Sequence, residues 1–340
     1  MQKHIALPLL AAALVLAGRT PTLCAPAQAA PPQAAALTRV LQSGAPLKEK
    51  MDACRQLAVV GTRDSVPALA ALLGDEQLSH MALYALQGIP DPAVDAAFRD
   101  AMATLQGRPL VGVIQSIGVR GDTRAFKALT RKLEDADPDV AQAAARALGT
   151  IGSPAAAKAL LAALPKTSVA NRLAVCEGLF RAAESLSRLN KPKVVRAIYD
   201  QLRKLDGPHQ VRAGALRGAI LLRGKDGLPI LRESLRGPDN VLAAAAARTA
   251  LELPGSDVVP ALAAELDQLS ADRQILVIQV LGRRGDPAAL PALASATRNR
   301  PNPVRLAALR ALPEIGDPSV VPVLVNLLLD TDTEVASVAQ

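Results

Sequence analysis

Between Val140 and Leu164 the apolar residues keep a helical beat. Val140, Ala144, Ala147, Leu148 and Ile151 recur at spacings of three and four, which puts them on one face of a helix. Asp137 and Pro138 open that helix: the aspartate accepts from free amides, and proline is tolerated in the first turn. Gly149 and Gly152 close it. A second helix follows in PAAAKALLAALP, with Leu160, Leu161 and Leu164 on its apolar side. The pair forms a helical hairpin of about thirty residues, a unit that cannot bury its faces without neighbours of the same kind.

Those neighbours are present. Aligned on Leu148, the counterparts are Leu57, Leu86, Ile117, Leu179, Ile220, Leu251, Leu281 and Leu312, at successive spacings of 29, 31, 31, 31, 41, 31, 30 and 31. The second helix gives the same register through Leu129, Leu160, Ile198, Leu231, Leu262, Leu293 and Leu324. The turns between helices recur as IGVRGD, LGTIGSP, LGRRGDP and LPEIGDP. Self-similarity at this period predicts a solenoid of nine hairpins.

These motifs resemble HEAT repeats, and most closely the short bacterial variety first named after phycobilisome lyases. Residues 137–164 and 302–328 carry the likeness almost position by position, and it extends over about residues 45–340. The resemblance implies an all-α, right-handed superhelical solenoid. It implies a binding surface more than any one activity, with the second helices lining the concave side.

Three segments depart from the beat. Residues 1–29 read as an export signal: Lys3, an apolar run from Ile5 to Ala17, and the Ala27-Gln28-Ala29 cleavage pattern. That predicts a periplasmic or secreted mature chain beginning at Ala30. Cys24 follows Leu23, where a lipoprotein signal wants a small residue, so no lipid anchor is expected. Residues 30–46 read as a linker and a short capping helix from Ala34 to Leu41, and residues 47–340 as the array. In repeat five the first helix runs on to Leu189, and Asn190-Lys191-Pro192 makes the turn. The extra length reads as helices projecting from the edge of the array. At the other end, DTDTEVASVAQ parallels DADPDVAQAAA at 135–145, so a tenth repeat begins and the chain reads as a fragment of something longer. The helix before it, Ser319 to Leu329, is so apolar that part of it is expected to face water and to promote self-association.

Composition narrows the chemistry. Aromatics make up 1% of the chain, as thin, closely packed helical layers require. Cys54 and Cys176 sit three residues before Leu57 and Leu179, in a slot held elsewhere by Ile114, Ala145, Ile278 and Leu309, and are expected as buried free thiols. His80 and His209 lie in distant repeats and neither is followed by Glu, so the His-Glu pairs of the HEAT-like deoxyhypusine hydroxylases are missing. There is no zinc spacing, nucleophile elbow or phosphate loop. Gly118 with Gly121, and Gly282 with Gly285, read as turn glycines. The acidic group Glu134-Asp135-Asp137 reads as helix capping. No catalytic residue, metal or cofactor is assigned.

One charge pattern remains. Two residues before the second-helix core position stand Lys127, Lys158 and Arg196, with Arg131, Lys132, Arg203 and Lys204 close by. In repeats six to eight the slot holds Pro229, Pro260 and Pro291. The row reads either as ordinary solvated charge or as a docking stripe for an acidic protein. The chain from Ala30 carries 37 Lys+Arg against 31 Asp+Glu, a net +6, too mild for nucleic acid, and it lacks an aromatic stacking platform. The sequence therefore points to an exported, non-enzymatic scaffold that binds a protein partner on its concave face. The competing reading is a lyase-like enzyme, or the non-catalytic part of a longer enzyme whose catalytic domain lies beyond Gln340.

Overall fold

The computed structural model describes residues 32–298 and 300–339. The signal segment and its cleavage site lie outside the described residues. Helix α1 (Pro32–Gln42) packs over the first repeat, with Ala34 and Leu41 buried and the Thr38 hydroxyl bonded to the Ala34 carbonyl. Nine hairpins follow: α2 (Leu47–Val60) and α3 (Val66–Ala70); α4 (Ser79–Gly88) and α5 (Pro92–Thr104); α6 (Gly107–Arg120) and α7 (Phe126–Lys132); α8 (Pro138–Ile151) and α9 (Pro154–Ala163); α10 (Val169–Arg188) and α11 (Pro192–Leu202); α12 (His209–Leu221) and α13 (Leu228–Arg236); α14 (Asn240–Glu252) and α15 (Val258–Ala263); α16 (Ala271–Arg284) and α17 (Leu290–Ala296); α18 (Asn302–Ala311) and α19 (Val321–Leu327). A final helix, α20 (Thr333–Val338), packs on α18 as the first helix of a tenth repeat. No strand occurs among the described residues, and the fold is an all-α solenoid.

Local chemistry sets the helix ends. Asp91, Asp137, Asp239 and Asp332 each accept from an amide two residues on, at 2.8 to 3.0 Å, which satisfies donors that the helix leaves free. Gly121, Gly152 and Gly285 end first helices in the left-handed conformation, where a side chain is strained, and Gly316 ends the short turn that follows α18 in the same way. The paired glycines of the repeat divide the work. Gly118, Gly149 and Gly282 lie inside α6, α8 and α16 and do not form turns. A Cβ on Gly118 would stand 2.8 Å from the Ala147 Cα, and one on Gly282 would stand 3.0 Å from the Ala311 Cα. One on Gly149 would collide with the backbone of Gly178. These glycines let successive first helices meet backbone to backbone.

The core follows the predicted register with one shift. Leu57, Leu86, Ile117, Leu148, Leu179, Ile220, Leu281 and Leu312 are fully buried, but Leu251 is 36% exposed and Ala250 takes its place in the core. On the second helices, Leu129, Leu160, Ile198, Leu231, Leu262 and Leu293 are buried in the same way, whereas Leu324 is half-buried and Leu327 is the buried residue of α19. Arginines tie layer to layer. Arg284 donates to the carbonyls of Ala250 (2.6 Å), Leu253 (3.0 Å) and Gly255 (3.2 Å), closing the end of α14. Arg120 does the same at Ile89 (2.9 Å) and Asp91 (3.2 Å) while pairing with Asp95. Arg236 reaches the buried Glu265 with two bonds, at 2.5 and 2.9 Å.

Repeat five is extended but does not project. The added turns of α10 are packed: Ala182, Ala183 and Leu186 are buried, and Ser185 lies against the turn at Gly152. Its junction with repeat six differs from every other. Phe180 and Tyr199 stand 6.3 Å apart between the repeats, and their rings seat on Gly214 and Gly218 of α12. A Cβ on Gly218 would lie 2.5 Å from the Tyr199 ring. The aromatic wedge replaces backbone contact, and the buried core divides here, between Ala215 and Leu216, as it does again at α18, where Leu306 and Leu309 join Leu327 and Val335.

Candidate protein-binding surface

Elsewhere along the array, successive first helices pack far more closely than successive second helices. The glycines that draw the layers together, Gly118, Gly149 and Gly282, all lie on the first helices. Here the inner face denotes the exposed side of the first helices, and the outer layer the second helices.

The exposed side of the first helices is corrugated into open troughs. One, of about 850 Å³, crosses α4, α6 and α8 between His80, Arg108, Gln115, Gln142 and Arg146. Arg146 spans to Glu177 of the next repeat at 2.8 Å. A second, of about 230 Å³, lies between α14 and α16 and is lined by Arg248, Leu251, Leu276, Gln279 and Arg283. A third, of about 550 Å³, shares Gln279 and Arg283 with it and continues over α18 to Arg310.

The basic row sits on the outer layer. Lys127, Lys158 and Arg196, on α7, α9 and α11, are exposed and have no carboxylate partner among the described residues. Arg131 and Lys204 are likewise exposed. Lys132 pairs with Asp135 at 2.8 Å, and the bond it donates holds the Asp135 carboxyl below its ordinary range. Arg203 is held by Asp200 (3.2 Å) and Glu233 (3.6 Å). Lys132 and Arg203 are thus committed within the fold, while the other five face solvent. Glu134-Asp135-Asp137 serves the turn: Asp137 caps α8, and Asp135 accepts from the Asp137 amide at 3.0 Å.

Cys54 and Cys176 are buried free thiols, and burial pushes both up to about 11. Among the described residues no three His, Cys, Asp or Glu side chains gather as a metal site, and no helix is long and apolar enough to cross a membrane.

The family model of HEAT repeats matches residues 111–180 and 259–340. A search of curated proteins finds no match. Among solved structures, an engineered protein is 19% identical over 91% of this chain and 97% of its own, with a TM-score of 0.41. Human deoxyhypusine hydroxylase in complex with glycerol is 22% identical over 82% and 94%, at 0.35. Kap121p is 13% identical over 90% of this chain and 40% of its own, at 0.50, a likeness of fold alone. With its nine helical hairpins and two matched regions, the chain is a HEAT-repeat protein.

Proposed function

We propose that this HEAT-repeat chain is an exported, non-catalytic scaffold that seats a segment of another protein along the exposed side of its first helices. One observation carries the reading: the troughs there run across successive helices, so a bound segment touches several repeats at once. Each layer adds about 9–10 Å of groove, roughly three residues of extended peptide. Export rests on the anatomy of residues 1–29.

Bulky side chains that fill the troughs test the reading. Gln115→Trp and Gln279→Trp together should abolish recovery of the partner from the exported fraction. Lys158→Trp, on the outer layer, should leave it intact. Undiminished recovery with the inner pair would overturn the inner-face assignment.

The outer basic row supports a second docking surface, because Lys127, Lys158 and Arg196 stay unpaired on three successive second helices. Self-association through α19 belongs to the same proposal, since Val321, Val325, Leu328 and Leu329 are all exposed.

A further inference from the structure

The inner face of repeats seven to nine has a charge pattern of its own. Arg248, Gln279 and Arg310 occupy one slot of the first helix, two residues before the core positions Ala250, Leu281 and Leu312, and stand 31 residues apart. Arg283 lies one turn on from Gln279. All three arginines are exposed, and none has a carboxylate or carbonyl partner among the described residues. Neighbouring arginines behave differently: Arg217, Arg236, Arg273, Arg284 and Arg305 are all engaged in holding layers together. Glu252, one turn from Arg248, is taken by Arg217. Glu314 and Glu334 line the larger trough together with Arg283 and Arg310.

Apart from Gln279, the lining between Arg248 and Arg283 is apolar: Ala244, Ala247, Leu276 and Val280, with Leu251 partly exposed beside them. Leu251 has left the core, where Ala250 replaces it. Two guanidinium groups thus flank an apolar floor with no acidic group in its lining.

We propose that this part of the inner face binds an extended acidic segment of another protein, with carboxylates meeting Arg248, Arg283 and Arg310 and an apolar side chain resting on Leu251 and Leu276. Arg248 and Arg310 are two layers apart, about 20 Å, which matches roughly six extended residues. Guanidinium groups take carboxylates through paired donors, and the apolar floor between them rejects a segment that is only charged. The proposal rests on the inner-face reading above and names the chemistry of its partner.

The probe is a fluorescein-labelled ten-residue peptide of alternating Glu and Leu, with Gln/Leu and Lys/Leu peptides as controls, titrated against the full chain by anisotropy. The Glu/Leu peptide should bind at least about tenfold more tightly than either control, and raising salt should weaken it. Arg248→Glu/Arg283→Glu/Arg310→Glu should remove that preference by about tenfold or more, while Lys127→Glu/Lys158→Glu/Arg196→Glu should leave it unchanged. Circular dichroism of both variants, expected to match the parent, separates lost binding from lost fold. Three results would overturn the proposal: no binding of the Glu/Leu peptide, equal binding of the Gln/Leu peptide, or loss only with the outer-row variant. If the inner arginine variant still captures the natural partner and the tryptophan pair does not, the scaffold reading stands and the acidic preference alone fails.

Discussion

A methyl group on Gly118 would stand 2.8 Å from the Cα of Ala147 in the next repeat. The same slot is glycine in α8 and α16, so backbone contact between first helices is built into the sequence. Gly118→Ala gains up to about 1 kcal/mol of helix preference. It forces the layers apart at about 1–3 kcal/mol. The net expectation is destabilisation, read as a lower urea midpoint, and Gly118→Val should lose more. An unchanged midpoint for the valine variant would show that the layers are not in contact there.

The wedge between repeats five and six predicts a second behaviour. Tyr199 against Gly218 and Phe180 against Gly214 fill the junction at which the two large buried clusters of the array divide. Repeat arrays are stabilised by nearest-neighbour interfaces, so weakening one uncouples its two sides. Phe180→Ala/Tyr199→Ala should split urea unfolding into two transitions, repeats six to nine separating from one to five. A single steeper or unchanged transition would contradict this.

The buried thiols give a pH dependence with a definite sign. Both have folded values of about 11 against 9.0 for a free thiol, because burial disfavours the thiolate. The unfolded chain therefore loses protons first. Their contribution to stability is complete below pH 9 and falls as pH rises toward 11. Cys54→Ala/Cys176→Ala should flatten that part of the profile. Neither thiol should react with a disulfide reagent at pH 8 until urea is added; fast reaction of the native protein would deny their burial.

Much of the fold was legible because the layers repeat. Leucine and glycine recur at fixed distance, and caps such as Asp137 and Gly152 mark each turn. What was not legible depended on the neighbouring layer. Leu251 and Ala250 both fit a spacing of three and four, and leucine looks like the better core residue; only packing shows that alanine faces inward. Gly118 and Gly121 look alike in sequence, yet one meets a backbone and the other turns the chain. Lys127, Lys158 and Arg196 share a fixed slot at the repeat period on the second helices, and Arg248 and Arg310 carry the same kind of signal on the first helices.

The apolar strip formed by α19 and the two leucines after it predicts association. Val321, Val325, Leu328 and Leu329 are 54, 54, 42 and 89% exposed. A further helical layer or a second copy would cover them, and each 100 Å² so covered is worth about 2.5 kcal/mol. Light scattering over a concentration series should show mass rising with concentration, and Val321→Lys/Val325→Glu should suppress it. A constant monomer mass for the parent would refute the prediction.

Export carries its own check. N-terminal sequencing of the protein from its natural source should begin at Ala30, and an intact Met1 in the cytosol would remove the export assignment.

The most direct measurement of the central claim is site-specific photo-crosslinking in the natural cell. A photoreactive residue at Gln115 or Gln279, on the inner first-helix face, should yield one discrete adduct with another protein, and its mapped peptide should be acidic at Gln279. The same residue at Lys158 should yield none, or a different species. Adducts from Lys158 alone, with the inner positions silent, would contradict a partner seated on the first helices.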